Sequence, residues 1–313
     1  MSRSPVMADK LPPLFLELLG DDFEVLPWET STDSDSLRRA EAFITYAHPN
    51  VDGPLMDAAP NLKVVSNHGV GCDHINLADA ADRNIPVGNT PRCLDGSTAD
   101  MTFALILAMA RNVVIGDRYA RSPEFTVYDP SLLIGKEVHG STLGIVGLGR
   151  IGKQVARRAK AFDMRVLYHN RRRDPVAEAE FSAEYRSLDD LLSESDFVAL
   201  NCPLTAETTN LISTPQFARM KPSAMLINMS RGAVVDTDAL YAALRSGRIA
   251  GAGIDVTQPE PLPRDHPLLT LQNLVLTPHL GSASDQTRRC MIEMTIENLR
   301  AGLAGKPLPY RIG

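Results

Sequence analysis

Three glycines, Gly147, Gly149 and Gly152, stand in the spacing GxGxxG directly after an apolar run, TLGIV (142 to 146). They open a stretch, GLGRIGKQVARRAKAF (147 to 162), in which Ile151, Val155, Ala159 and Phe162 recur at helical spacing. This pattern suits the holding of a pyrophosphate. The first glycine permits a tight strand-to-helix turn, the second lets phosphate approach the backbone, and the third lets helix and strand pack closely. The helix then offers unpaired amides and the positive end of its dipole to phosphate oxygens. The spacing alone is weak evidence, but the strand RVLYH (165 to 169) follows where a second strand belongs, and together they mark a dinucleotide site.

The residue after that second strand sorts the two nicotinamide dinucleotides. A carboxylate there holds the ribose 2'-hydroxyl of NAD; here the position is Asn170, 18 residues after Gly152, and Arg171, Arg172 and Arg173 follow at once. A guanidinium grips a 2'-phosphate bidentately where a carboxylate would repel it. The expected cofactor is therefore NADP, with NADPH preferred over NADH, although Asp174 stands close by and the triplet also fits a solvated turn.

The elements that position these residues belong to the α/β class. From Asn61 onward short β-rich runs alternate with helical patterns, as parallel sheets with crossover helices require. After RVLYH the alternation continues through SLDDLLSES, FVALN, TPQFARM, AMLINM, TDALYAALRSG and AGAGIDV to LVLTP. Upstream, SNHGVGCDHI, IPVGN and the helix TADMTFALILAMARN, with Ser97 and Asp100 spaced as a capping box, form another unit. The expectation is two Rossmann-like domains with doubly wound parallel sheets and a cleft between them. Residues 1–111 with 284–313 would be the substrate domain and 112–283 the dinucleotide-binding domain.

Length and composition agree. A chain of 313 residues exceeds one ordinary core. Its net charge of -6 argues against nucleic acid or an anionic membrane as partner. Cys72, Cys93, Cys202 and Cys290 have neither CxxC pairing nor metal-type spacing, so no metal is expected. No apolar run reaches the roughly 18 residues of a membrane span, and no signal peptide is evident, so a cytoplasmic protein is expected.

Reducing a 2-oxo acid with a nicotinamide needs a group to hold the carboxylate, one to polarise the ketone, and an acid to protonate the nascent alkoxide. Three segments, MKPSAMLINMSRGAVVD (220 to 236), DVTQPEPLPRDHPLL (255 to 269) and LTPHLGSAS (276 to 284), resemble signatures of the D-isomer-specific 2-hydroxyacid dehydrogenase family. The likeness extends to VSNHGVGCDHI, NTP, STAD, GLGRIG and CPLTAETTNLI, and is strongest to the glyoxylate/hydroxypyruvate reductase branch.

The resemblance implies roles for residues that are each unremarkable alone. Arg231 corresponds to the family arginine that binds substrate carboxylate and carbonyl oxygen, His279 to the general acid, and Glu260 to the carboxylate that fixes the histidine tautomer. Val70 and Gly71 correspond to a substrate loop whose backbone amides cradle a carboxylate, and Ser282 would join them. Asp255 corresponds to the residue that holds the nicotinamide carboxamide. Leu148, Arg150, Ile151, Cys202, Pro203, Thr208, Met229, Ser230 and Gly281 would line the cofactor groove, with Thr98 reaching it across the cleft.

The resemblance further implies a homodimer joined through the cofactor domain, with YARSPEFTVYDPSLLIGKEVHG as the contact extension. Tyr128 stands where animal members of the branch carry a tryptophan, which leaves the substrate open. The leading expectation is NADPH-dependent reduction of a small 2-oxo acid. A 2-oxogluconate reductase is the alternative within the class, and a non-catalytic, dinucleotide-sensing corepressor the alternative outside it.

Overall fold

A computed structural model describes residues 3–312, which fall into two compact units: residues up to Leu94 together with those from Ser284, and Asp95–Ala283. The first unit runs β1 (Ser4–Ala8), α1 (Pro13–Leu19), β2 (Phe23–Pro27), α2 (Asp35–Arg39), β3 (Ala42–Thr45), α3 (Gly53–Asp57), β4 (Val64–Asn67), α4 (Leu77–Asp82) and β5 (Val87–Gly88). Its five strands are parallel in the order β2-β1-β3-β4-β5. The inner strands β3 and β4 are buried at every position, as parallel strands covered on both faces must be. Alternation thus begins at Ser4, well before Asn61. The strand β2, FEVLP, is half-exposed and carries a glutamate and a proline, so no continuous apolar run announces it.

The second unit opens with α5 (Asp95–Ala110) and α6 (Val113–Ala120). It continues through β6 (Thr142–Val146), α7 (Arg150–Ala161), β7 (Arg165–His169), α8 (Pro175–Phe181), β8 (Glu184–Tyr185), α9 (Leu188–Glu194), β9 (Phe197–Leu200), α10 (Thr214–Arg219), β10 (Met225–Asn228), α11 (Thr237–Arg245), β11 (Gly251–Ile254) and β12 (Leu274–Leu276). Its seven parallel strands run β12-β11-β10-β9-β6-β7-β8. Successive residues of β9 feed opposite faces. Phe197 and Ala199 join Val155 and Ala159 of α7 and Phe181 of α8, whereas Val198 and Leu200 join Leu191 of α9, Phe217 of α10 and Leu240 of α11. Helices on both faces of a parallel sheet make the doubly wound α/β fold.

The chain then returns through α12 (Asp285–Leu303), whose Ile292, Ile296 and Leu299 pack with Val6, Phe15 and Val64 of the first unit. Two expectations need correction. The first boundary falls at Leu94 rather than at 111, because Ala99, Phe103, Leu105 and Ile106 of α5 belong to the core beneath β6 and β9. Ser97 and Asp100 also lie inside α5 rather than at its start. The helix starts at Asp95, and the Asp100 carboxylate instead accepts from the Arg158 guanidinium of α7 at 2.8 Å. Among the described residues no single helix is long and apolar enough to cross a membrane.

Phe197 is fully buried at the centre of this core. Phe197→Ala is expected to destabilise the second unit by about 3–5 kcal/mol, whereas Val176→Ala, at a position 74% exposed, changes stability by less than about 0.5 kcal/mol; chemical denaturation followed by circular dichroism measures both.

Candidate active site

Strand order reverses between β6 and β9, and ligands of doubly wound sheets bind beyond the carboxyl ends of the strands at such a point. The glycine turn leaves β6 there. Gly147 has φ +100°, and a Cβ on it would lie 2.6 Å from the Cys202 backbone nitrogen, in the turn after β9. A Cβ on Gly152 would lie 2.3 Å from the Gly147 carbonyl oxygen. Gly149 differs, since a Cβ there would meet nothing within 4 Å. No protein contact explains this glycine, and a phosphate lying against the backbone at the start of α7 does, so these residues fit a dinucleotide.

The surrounding side chains divide between scaffold and open surface. Asn170 Oδ1 accepts from the Leu148 N–H at 2.7 Å, tying the end of β7 to the glycine turn, while the Leu148 side chain is buried in the core. Arg150 is exposed and pairs with Asp95 at 3.4 Å, and Ile151, in the first turn of α7, packs partly buried against the core. Arg173 is committed to Glu178, with N–H to oxygen distances of 3.0 and 2.7 Å. Asp174 accepts from the Ala177 N–H at the start of α8 and pairs with Lys153 at 2.6 Å, which holds its carboxyl below the ordinary range. Arg171 and Arg172 remain exposed. Beyond β9, burial pushes the Cys202 thiol up to about 11, so it stays protonated. The Thr208 hydroxyl donates to the Pro203 carbonyl at 2.7 Å and accepts from the Thr205 N–H at 2.8 Å, closing the turn that follows.

His279 and Glu260 also meet within this unit, and Arg231 lies near enough for its charge to act on Glu260. Arg231 follows β10, where Asn228 Nδ2 donates to its carbonyl at 2.9 Å and its own Nη1 donates to the Ser230 carbonyl at 3.0 Å. Ser230, nearly buried, gives both its N–H and its hydroxyl to Asn228 Oδ1. His279 Nδ1 lies 2.6 Å from Glu260 Oε1, and Glu260 Oε2 accepts from the Thr257 N–H at 3.0 Å. Burial opposes charge on Glu260, but His279, the Thr257 amide and the field of Arg231 together hold its carboxyl below the usual range. An ionised carboxylate only accepts, so the Nδ1 of His279 carries the proton and donates it to Glu260 in a hydrogen bond, and any proton delivered to a ligand leaves from Nε2.

His279 itself has φ +57°, a left-handed conformation that costs a non-glycine residue about 1–2 kcal/mol. Asp255, at the end of β11 and 2% exposed, enforces it. Its Oδ1 accepts from the Thr277 hydroxyl at 2.6 Å and the Leu280 N–H at 2.7 Å, its Oδ2 from the Gly281 N–H at 2.7 Å, and its carbonyl from the His279 N–H at 2.9 Å. This clamp was not legible from motif matching, although an aspartate closing a strand beside a histidine turn was its only trace. A Cβ on Gly281 would approach Met229 Cε, Asp255 Oδ2 and Thr98 Cγ2 at 3.1, 3.2 and 3.5 Å, so these residues cluster. Thr98 reaches the group from α5 inside this same unit, and Ser282 lies half-buried next along the turn.

Val70 and Gly71 lie in the first unit, in the bend after β4. Nearby His68 is buried, which together with the fields of Arg288 and His48 pushes its ring down to about 3, so it is neutral.

Residues 103–281 match the family model described as D-isomer specific 2-hydroxyacid dehydrogenase, NAD binding domain. The chain is 44% identical over 310 residues to a glyoxylate reductase of Pyrococcus horikoshii, covering 96% of this chain and 92% of that one. It is 45% identical over 307 residues to one of Korarchaeum cryptofilum, again covering 96% and 92%. Among solved structures, the NADPH-dependent glyoxylate/hydroxypyruvate reductase of Sinorhizobium meliloti in complex with NADP and malonate superposes with TM-score 0.91 at 32% identity, covering 100% of this chain and 97% of that one. Glycine turn, dyad and fold thus occur together in a chain that belongs to the D-isomer specific 2-hydroxyacid dehydrogenase family of NAD(P)-dependent oxidoreductases.

Proposed function

We propose that this protein reduces a small 2-oxo acid of the glyoxylate or hydroxypyruvate type to the D-2-hydroxy acid, with NADPH as reductant and His279 as general acid. The observation that carries the reading is the 2.6 Å contact between His279 Nδ1 and Glu260 in the unit that bears the open glycine turn. NADPH, when bound, supplies the hydride. Glu260 keeps the Nδ1 proton in place, so Nε2 is the position from which a proton passes to the substrate oxygen as negative charge develops there. Arg231 holds the carboxylate and polarises the carbonyl with a permanently charged fork, and the Val70 and Gly71 amides are assigned to the carboxylate. The relatives named glyoxylate reductases support the substrate class.

His279→Ala is expected to lower kcat for glyoxylate reduction by about 10²–10⁴-fold, the usual worth of a positioned proton donor, while NADPH affinity by fluorescence titration stays within about two-fold. Undiminished turnover would remove the histidine from this role.

NADPH preference rests on the absence of an acid at Asn170 and on the division of labour among its neighbours. Asp174 and Arg173 are each held by a partner, while Arg171 and Arg172 are exposed at the end of β7. Arg171→Ala with Arg172→Ala should raise Kd for NADPH roughly ten-fold or more, as loss of charge-assisted hydrogen bonds does, and leave NADH within about two-fold. Equal losses for both would count against a 2'-phosphate site.

A homodimer formed through the second unit is the proposed assembly. Val113 of α6 is 54% exposed, and Val127, Tyr128 and Ile134 in the following segment are 71%, 78% and 77% exposed, more apolar surface in one segment than a lone chain usually leaves in water. Ile134→Asp with Val127→Asp is expected to convert the dimer to a monomer in sedimentation velocity, and a wild-type protein that sediments as a monomer at high concentration would refute the assembly. The four cysteines are free thiols, which suits a reducing compartment such as the cytoplasm.

A further inference from the structure

The bend after β4 shows how a short run of backbone is made to present its amides. Asn67, fully buried as the last residue of β4, accepts from the Thr45 hydroxyl at 2.8 Å through Oδ1. That bond fixes the orientation of its amide, whose nitrogen donates to the carbonyls of Gly69 at 3.1 Å and Gly71 at 2.9 Å. The Gly69 carbonyl also accepts from the Thr90 N–H at 3.0 Å. Between them, the Val70 carbonyl accepts from Asn89 Nδ2 at 3.1 Å. Asn89 is anchored in turn, its N–H donating to the Tyr310 carbonyl at 3.0 Å and its carbonyl accepting from Asn298 Nδ2 at 3.1 Å.

Three successive carbonyls are thus turned toward interior donors. In a planar trans peptide the N–H of each residue points opposite to the carbonyl before it, so the amides of Val70, Gly71 and Cys72 are turned the other way. Among the described residues no backbone or side-chain acceptor is matched to the N–H of Val70 or Gly71. Orienting amides in this way costs nothing further when an anion arrives, which is what makes a preorganised cradle effective.

We propose that Asn67 and Asn89 are positioning residues for substrate, setting the direction of the Val70 and Gly71 amides so that they receive the carboxylate of a 2-oxo acid. This rests on the assignment of those amides to the substrate carboxylate. Neither asparagine touches the ligand. Each acts by holding carbonyls, and each requires the donor half of an amide, so aspartate, which matches asparagine in size but only accepts when ionised, abolishes the function and repels the carbonyls it formerly bound.

The test measures Asn67→Asp and Asn89→Asp in the intact enzyme, with melting temperature as a control for folding. Asn67→Asp is expected to raise KM for glyoxylate roughly ten- to hundred-fold, the worth of hydrogen bonds to a charged group, with Kd for NADPH within about two-fold of wild type and kcat affected far less than KM. Asn89→Asp moves KM in the same direction by a smaller factor, since one carbonyl is released rather than two, and it decides the matter if Asn67→Asp does not fold. Calorimetric titration of oxalate in the presence of NADP reads the cradle without turnover. Oxalate affinity that falls in step with KM supports the proposal, whereas a folded variant with unchanged KM and unchanged oxalate affinity overturns it. A wild-type protein that binds oxalate, loses it in both variants and yet does not reduce glyoxylate would uphold the cradle and refute the reaction.

Discussion

A single buried carboxylate organises the turn that carries His279. Asp255 lies at the end of β11, out of water, and satisfies its charge with the Thr277 hydroxyl and two successive backbone amides. Those bonds leave the intervening backbone little freedom, and His279 is carried into a left-handed conformation that its own preferences oppose. With the backbone held, the ring has one convenient direction, and Glu260 meets it there through a carboxylate that is itself pinned by the Thr257 amide. Local strain at the histidine is therefore offset by charge-assisted hydrogen bonds at the aspartate.

Both sheets repeat one rule at larger scale. The order β2-β1-β3-β4-β5 reverses between β1 and β3, and the longer sheet reverses between β6 and β9. Where neighbouring crossovers leave in opposite directions, the strand ends are uncovered and loops there are free to bind. Asp9, just past β1, accepts from the Tyr46 and Ala47 amides just past β3 at 3.1 and 2.7 Å, which ties the two sides of the first reversal together. Gly147 and the backbone of Cys202 stand similarly close at the second. Each reversal is a crevice whose floor the protein has stiffened.

How much of this was legible follows from which interactions are local. The glycine turn and α7 were legible because every contact that shapes them lies within one strand-turn-helix, and Val155 and Ala159 are buried as their spacing requires. The family motifs named Arg231, Glu260 and His279, and in the fold His279 contacts Glu260 while the charge of Arg231 acts on that carboxylate. α5 was assigned to the wrong unit because an apolar helix records that it is buried but not against what; its partners, Ile145 and Phe197, lie far along the chain. Ser97 and Asp100 have the spacing of a cap, yet the helix begins at Asp95 and the Asp100 carboxylate binds a guanidinium of α7, a partner that local spacing does not record. The short α8 and β8 were missed because Pro175 and a two-residue strand give no periodicity to count. The bonds made by Asn67, Asn89 and Asp255 were not legible for the same reason: polar side chains whose partners are mostly backbone atoms leave no pattern of residue types.

Charge in this chain is a matter of local balance. The net charge of -6 would discourage an anionic cofactor and an anionic substrate if it were spread evenly. Instead the acids nearest the dinucleotide turn are already spent. Asp174 is paired with Lys153 and caps the start of α8, Glu178 is paired with Arg173 and accepts from the Tyr168 hydroxyl, and Glu207 keeps its charge but accepts from the Thr205 hydroxyl. Asp95 faces Arg150, and Asp100 faces Arg158. With those carboxylates paired, the positive end of α7 and the guanidinium groups of Arg171 and Arg172 set the local field, and at about 10 Å of screening length a distant excess of acid contributes little. An acidic protein can in this way present a basic site, because pairing decides which charges remain to act.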